Sequence, residues 1–135
     1  MSVTLVDSSV WSRFYRNDVP DSDAYVTAFM RELASRDVVT TGVVYLELLR
    51  GFTRPSTREQ IHREFEAVPF LEPTRSDYAD AADLCTSCRR AGVQLGSIDA
   101  LLAQLCIGND LQLLTADRDF VHAAECIPLD VWSPA

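Results

Sequence analysis

The apolar positions along the chain follow two different spacings. Short runs rich in Val, Leu and Thr predict buried β-strands, and longer segments with apolar residues three or four positions apart predict helices. Strands that alternate with helices predict an α/β fold with a mainly parallel central sheet flanked by helices. The predicted strands are 3–7, 38–41, 68–71, 111–115 and 128–132, and the predicted helices are 8–16, 22–35, 42–50, 56–66, 76–92, 98–107 and 118–125.

The ends of several predicted helices rest on capping signals. Ser56 and Glu59 have the S-x-x-E spacing of a capping box, which predicts a helix start at Ser56. Ser97 is expected to cap the helix that follows it. Gly51 and Gly92 are expected to end the helices that precede them.

Acidic residues interrupt or end the apolar segments at separate places in the chain. Asp7 ends the first strand and Asp117 follows the fourth, while Glu47 and Asp99 lie on apolar helices. Burying an unpaired carboxylate costs several kcal/mol, on the order of 3–5. Ligand sites in parallel sheets form beyond the carboxyl ends of the strands, so we expect these carboxylates to converge there. Oxygen ligands favour a divalent cation, and such ions commonly act on phosphates.

All of the acids except Glu47 also have a purely structural interpretation. Asp7 and Asp117 fit the N-cap positions of the following helices, and Asp99 fits a first-turn acid that complements the helix dipole. Asp119 fits a metal ligand and a solvated first-turn residue equally well. Glu47, in the middle of a helix, gains nothing from capping, so it is the acid that most favours a shared site.

Composition and charge limit the classes of function. The 135 residues predict a single domain, 1–135, with a net charge of −8 and twelve basic residues, all of them arginine. An acidic chain lacks the broad positive field of a non-specific nucleic-acid binder, so binding of nucleic acid would need local arginines and a metal. No apolar run approaches the ~18 residues of a membrane span, and the N-terminus has no signal-peptide pattern. We therefore expect a cytoplasmic protein without membrane contact.

The four cysteines include one C-x-x-C pair, Cys85 and Cys88. This pair lies late in a predicted helix, where neither a redox motif nor a zinc site is expected, and the two histidines lack zinc-finger spacing. Together with Cys106 and Cys126, the pair is predicted to pack in the core as small apolar residues.

Four segments of the chain carry a family resemblance. In order they read LVDSSVW, VVYLELLRGF, GSIDALLAQLCIGND and LLTADRDF. Together they resemble a PIN-domain protein, specifically a VapC-type toxin ribonuclease of a bacterial type II toxin–antitoxin system. The resemblance implies a PIN-like fold and a hydroxyl residue beside the acids, at Thr115 and also at Ser8. It places the catalytic and metal-binding acids at Asp7, Glu47, Asp99 and Asp117, with Asp119 as a more variable fifth ligand.

The resemblance also implies the chemistry and the partners. It predicts hydrolysis of RNA by an endoribonuclease that uses Mg²⁺ or Mn²⁺, a cognate antitoxin protein and a homodimer. Arginines and aromatic residues near the acids are candidate contacts to RNA or antitoxin, although surface or core roles fit them as well. These residues are Arg13, Arg16, Arg50, Arg54, Trp11 and Phe14. The alternative function is a catalytically inactive PIN-like module that binds RNA or protein.

Overall fold

Strands and helices alternate along residues 3–134, the part of the chain that the computed structural model describes. Residues 1, 2 and 135 of the predicted domain lie outside this part. Within it, four strands and seven helices form. In chain order they are β1 (Thr4–Val6), α1 (Ser8–Tyr15), α2 (Ala24–Ala34), β2 (Val38–Thr41), α3 (Gly42–Gly51), α4 (Pro55–Glu66), β3 (Phe70–Leu71), α5 (Arg75–Arg90), α6 (Ser97–Gly108), β4 (Gln112–Leu114) and α7 (Arg118–Ala123).

The described strands form one parallel sheet in the order β3-β2-β1-β4. Leu5 of β1 pairs with Val39 of β2 on one side and with Leu113 of β4 on the other. The helices that connect the strands flank this sheet. The predicted α/β fold with a mainly parallel sheet is thus confirmed.

The strand order produces a crevice at one particular place. From β1 the chain proceeds to β2 on one side of β1 and later returns to β4 on the other side. The connections leaving β1 and β4 therefore diverge, and parallel sheets open a ligand crevice at such a point. Asp7 directly follows β1, and Asp117 lies three residues after Leu114, the last residue of β4.

The hydrophobic core explains why these short strands hold. Leu5, Val6 and Leu113 are fully buried, as expected for parallel strands covered on both faces. Helix α6 is buried almost all round from Ala100 to Cys106, which is typical of a helix inside a core. In the described residues, no helix combines the length and apolar character needed to cross a membrane.

The predicted terminal strand 128–132 is wrong in extent. The segment contributes only an isolated bridge in which Val131 pairs with Leu113. Its Leu129 N–H donates to the carbonyl oxygen of Ile127 at 2.8 Å, so the chain is still turning when it reaches the sheet. Two backbone hydrogen bonds join the segment to Leu113: the Trp132 N–H donates to the Leu113 carbonyl oxygen, and the Leu113 N–H donates to the Asp130 carbonyl oxygen. A tight turn beside the edge leaves room for one paired residue rather than a strand.

The capping box predicted at Ser56 is also wrong. Helix α4 begins one residue earlier, at Pro55, and the Arg54 N-cap makes no side-chain capping hydrogen bond. Proline suits a first helical position because its fixed φ is already helical. A reciprocal capping box instead begins α5, where Thr74 and Asp77 each bind the other's backbone N–H.

Other predicted helix ends differ by small shifts. Ser97 is the first residue of α6 behind Gly96, with no side-chain cap, so the cap predicted at Ser97 is wrong. Gly51 is the last residue of α3. Gly92 follows α5 with φ +80°, a left-handed conformation that favours glycine at a helix end. The remaining predicted elements agree with the observed ones to within a few residues.

The cysteines are free thiols in and beside the core. Cys88 and Cys106 are buried, whereas Cys85 and Cys126 are partly buried. Burial is the main cause that raises the pKa of the Cys106 thiol to about 12. The prediction of core cysteines is therefore confirmed for Cys88 and Cys106.

Candidate metal centre

Acidic side chains from separate elements line one cleft beyond the carboxyl ends of β1 and β4. The cleft has a volume of about 280 Å³ and also exposes hydroxyl groups from α1. Helix α3 supplies one acid, the first turn of α6 another, and the segments after β1 and β4 the other two. The acids that line it are Asp7, Glu47, Asp99 and Asp117.

The hydrogen bonds of the Asp7 side chain favour a binding role over a capping role. Asp7 occupies the N-cap position of α1, but its side chain makes no capping hydrogen bond. Its Oδ2 atom instead accepts from the hydroxyls of Ser9 at 2.7 Å and Thr115 at 2.9 Å. The residue is only 5% exposed. These contacts orient a buried carboxylate toward the cleft that it lines.

Asp117 combines both interpretations made from the sequence. Its Oδ1 atom accepts from the backbone N–H of Asp119 at 2.9 Å and so caps α7. Its own N–H donates to the hydroxyl of Thr115 at 3.0 Å. Capping uses one carboxylate oxygen and holds the side chain still, so the other oxygen remains for a ligand.

Glu47 reaches the cleft from the middle of α3. Its Oε1 atom accepts from the Ser8 hydroxyl at 3.3 Å, a long hydrogen bond. The neighbouring leucines flank it on either side of the helix, with Leu48 buried and Leu46 exposed. Ser8 therefore contacts a different acid from Thr115.

Three acids approach closely enough to share one ion. Ligand oxygens of Asp99, Asp117 and Asp119 all lie within 4.8 Å of one another. Burial, followed by the negative charges of Asp7, Asp117, Glu47 and Asp119, raises the pKa of Asp99 to about 6. Asp119 is exposed and lies at the rim, because it lines a neighbouring cavity rather than the cleft itself.

No basic side chain forms an ion pair with these acids among residues 3–134. The ion pairs within this range are Arg13–Asp23, Arg16–Asp18 and Arg63–Glu59, and none includes an acid of the cleft. An all-oxygen donor set with several carboxylates and no ion-pair partner fits a hard divalent cation such as Mg²⁺ or Mn²⁺. The residues present therefore suit the metal that the sequence analysis predicted.

Ser9 is a site residue that the sequence analysis missed. Its hydroxyl binds Asp7 and also accepts from the backbone N–H of Ala116 at 3.0 Å. The spacing D-x-S at Asp7 mirrors the spacing T-x-D at Thr115 and Asp117. This repeated spacing of a hydroxyl two residues from a strand-end acid was the available signal.

The candidate arginines fall into two groups. Arg50 lines the cleft together with the acids. Arg16 and Arg54 line an adjoining groove of about 760 Å³. The linings of the groove and the cleft share Gly51 and Phe52, so the two are adjacent.

The other candidates have partners within the fold. Arg13 donates to Asp23 at 2.7 Å and lies over the ring of Tyr25. Trp11 is fully buried and packs against other aromatic rings. Phe14 is partly buried and lines the groove.

Comparison with known proteins identifies the family. The family model for the PIN domain matches residues 4–125. The chain belongs to the PIN domain family, which confirms the predicted resemblance. No curated protein sequence matches the chain significantly.

Solved structures share the fold over nearly the whole chain. FitAcB from Neisseria gonorrhoeae has a TM-score of 0.68 at 21% identity and covers 97% of each chain. VapC20 from Mycobacterium tuberculosis, a Sarcin-Ricin loop cleaving toxin, has a TM-score of 0.65 at 18% identity, covering 93% of this chain and 98% of its own. VapBC2 from Rickettsia felis, bound to a DNA fragment from its promoter, has a TM-score of 0.70 at 17% identity, covering 96% and 98%. At these identities the likeness establishes the shared fold.

Proposed function

We propose that this protein is an endoribonuclease dependent on Mg²⁺ or Mn²⁺ and acts as the toxin of a toxin–antitoxin pair. The observation that carries the proposal is the convergence of Asp7, Glu47, Asp99 and Asp117 in one cleft, with no ion-pair partner among the described residues. Membership of the PIN domain family and the fold shared with the VapC20 toxin support it.

In this proposal each acid of the cleft has a part in holding the cation. Asp7 and Asp117 offer oxygens from rigid positions at the strand ends, and Glu47 and Asp99 offer theirs from helices. Asp119 contributes from the rim. When bound, the ion activates a water molecule and offsets the charge that develops on the scissile phosphate.

The substrate has to approach an acidic protein through local positive charge. The net charge of −8 and the clustered acids repel a phosphodiester backbone. Arg50 in the cleft, with Arg16 and Arg54 in the adjoining groove, supplies the guanidinium groups along which RNA would approach the acids. The products that the family resemblance implies are a 5′-phosphate and a 3′-hydroxyl.

The proposed partners are a cognate antitoxin and a second copy of the chain in a homodimer. An antitoxin segment that occupies the groove of Phe14, Arg16 and Arg54 would block the approach of RNA to the acids. We further propose that residues 1–135 form one domain and that the protein meets its RNA and antitoxin in the cytoplasm.

The test is RNA cleavage by the purified protein in Mg²⁺, in Mn²⁺ and in EDTA, with Asp7→Asn as the matched control. We expect cleavage by the wild type with either ion, and none in EDTA or by the variant. Sequencing of the 5′-phosphate ends distinguishes one preferred RNA loop from general cleavage. Intact RNA in both ions would favour the alternative, an inactive PIN-like module that binds RNA or protein, and binding without cleavage would identify it.

A further inference from the structure

Two hydroxyl groups contact the same oxygen of Asp7. The Ser9 Oγ lies 2.7 Å and the Thr115 Oγ1 lies 2.9 Å from the Oδ2 atom of Asp7. The two hydroxyls also lie 3.4 Å from each other, so distance alone leaves the direction of their protons open. Their other contacts decide it.

Each hydroxyl oxygen already accepts a hydrogen bond from a backbone N–H. The Ala116 N–H donates to Ser9 Oγ at 3.0 Å, and the Asp117 N–H donates to Thr115 Oγ1 at 3.0 Å. A hydroxyl has a single proton, and an ionised carboxylate only accepts. Both hydroxyl protons therefore go to Asp7, and the 3.4 Å contact between the hydroxyls carries none.

Two donors fill the accepting capacity of the Oδ2 atom, since one carboxylate oxygen has two lone pairs. Among residues 3–134, no hydrogen bond reaches the Oδ1 atom of Asp7. We propose that Ser9 is a positioning residue that, together with Thr115, makes Asp7 a ligand through Oδ1 alone. This inference rests on the proposed function, because it assumes that the acids bind a cation.

Ser9 also joins two segments that are far apart in sequence. It lies in the first turn of α1, and Ala116 lies in the segment between β4 and α7, 107 residues later. Through Thr115 the same network reaches the N–H of Asp117. Loss of the Ser9 hydroxyl would remove one of the two donors to Asp7 and leave the Ala116 N–H without its acceptor. The effect would therefore reach the geometry of both strand-end acids.

The experiment is titration of Mn²⁺ into wild type, Ser9→Ala and Ser9→Thr by calorimetry, with the melting temperature of each measured in EDTA. We expect Ser9→Ala to bind Mn²⁺ about tenfold more weakly, within the range for residues that orient a metal ligand. Ser9→Thr keeps the hydroxyl and should restore affinity. Ser87→Ala is the control, because Ser87 is the same residue type on a helix, is exposed and lies outside the cleft.

Thr115 provides a second pair of variants if Ser9→Ala fails to fold. Thr115→Val has nearly the same shape without the hydroxyl and should weaken Mn²⁺ binding, whereas Thr115→Ser should not. RNA cleavage by the weakened variants should show a lower kcat with an unchanged KM for RNA at saturating Mn²⁺. A purely structural role would lower the melting temperature in EDTA without lowering kcat selectively at an unchanged KM.

The outcomes separate the two proposals. If the wild type binds no Mn²⁺, both the proposed function and this inference fail. If the wild type binds Mn²⁺ and cleaves RNA while Ser9→Ala and Thr115→Val match it, only the positioning inference fails. A structure with bound Mn²⁺ gives a direct reading: Oδ1 alone should contact the ion, and bidentate binding by Asp7 would overturn the inference.

Discussion

The cleft holds its carboxylates in two different ways on its two sides. On the strand side, which we define as Asp7, Thr115 and Asp117, hydrogen bonds of 2.9–3.0 Å fix the side chains to one another and to the backbone. On the helix side, Glu47 has one long bond of 3.3 Å from Ser8. The carboxylate of Asp99 has no hydrogen-bond partner among residues 3–134, and its pKa is raised.

This difference indicates that the two sides of the cleft would contribute differently to cation binding. The strand side is preorganised by the sheet, so it can offer fixed oxygens before a cation arrives. On the helix side, burial and the neighbouring negative charges raise the pKa of Asp99, and a cation would offset those charges. Breaking one side at a time should therefore give different effects on cleavage, cation binding and stability.

Removal of a charge from the strand side should have the largest effect. Asp7→Asn keeps the shape and an accepting oxygen, so the fold should survive. RNA cleavage should fall by more than about 100-fold, beyond the range typical of residues that only orient a ligand. Initial rates at saturating Mn²⁺ measure the loss. Cleavage within a few-fold of wild type would show that the strand side is not essential.

Asp119→Asn should have a smaller effect than Asp117→Asn. Asp119 is exposed at the rim, and its contact with Asp117 comes from its backbone N–H, which the substitution retains. We expect cleavage to fall by less than about tenfold, below the loss expected for a residue at the centre of the cleft. Equal losses in the two variants, compared under the same Mn²⁺ concentration, would place Asp119 among the essential ligands.

Arg50→Ala should affect RNA binding without affecting the cation. A charged contact to phosphate worth about 0.7–1.4 kcal/mol corresponds to roughly a threefold to tenfold rise in KM. Arg13→Ala is the matched control, because Arg13 is ion-paired with Asp23 and lies outside the cleft. It should leave KM unchanged and cost about 1 kcal/mol of stability at most. A similar rise in KM for both variants would show that Arg50 acts only through general charge.

On the helix side, the raised pKa of Asp99 should make the stability of the metal-free protein depend on pH. The pKa of Asp99 rises from 3.8 to about 6 on folding, so the folded protein retains this proton more tightly. The resulting stability is present below pH 4 and is lost as the pH rises through about 6. Asp99→Asn does not titrate.

Melting temperatures in EDTA measure this difference between wild type and Asp99→Asn. We expect the variant to gain several degrees relative to wild type between pH 4 and 6, with no further gain above that range. Saturating Mn²⁺ should reverse the order at neutral pH, because only the wild type has the full set of charges for the cation. A constant difference across this pH range would show that folding does not raise the pKa of Asp99.

Parts of the molecule were predictable because their signals are local. The strand pattern and the acids at strand ends lie within a few residues of each other, so Asp7 and Asp117 were assigned to one edge of a parallel sheet. Glu47 was recognised because a charge in an apolar helix has no local explanation. The helix boundaries were less predictable: both Ser56 and Thr74 fit a capping signal, but α4 begins at Pro55 and only Thr74 forms a capping box.

Other parts depend on contacts between distant segments. The hydrogen bond from Ser8 to Glu47 spans 39 residues, and the Ser9 network spans more than a hundred. Pairing of Arg13 with Asp23 and burial of Trp11 depend on how α1 docks against α2. The sequence spacing can mark Ser9 and Thr115 as hydroxyl residues near the strand-end acids, but it does not specify which atoms meet, because these contacts form only when distant segments pack.

The sequence by itself determined the parallel α/β class, the family and the acids that interrupt the apolar pattern, because periodicity and charge placement are properties of short segments. Only the tertiary structure decided which hydroxyl contacts Asp7, which oxygen of Asp7 stays free and which arginines remain in the cleft. The physical reason is that a hydrogen bond is sensitive to changes of a few tenths of an ångström in the distance between donor and acceptor. The packing of β1, β4 and α1 sets those distances.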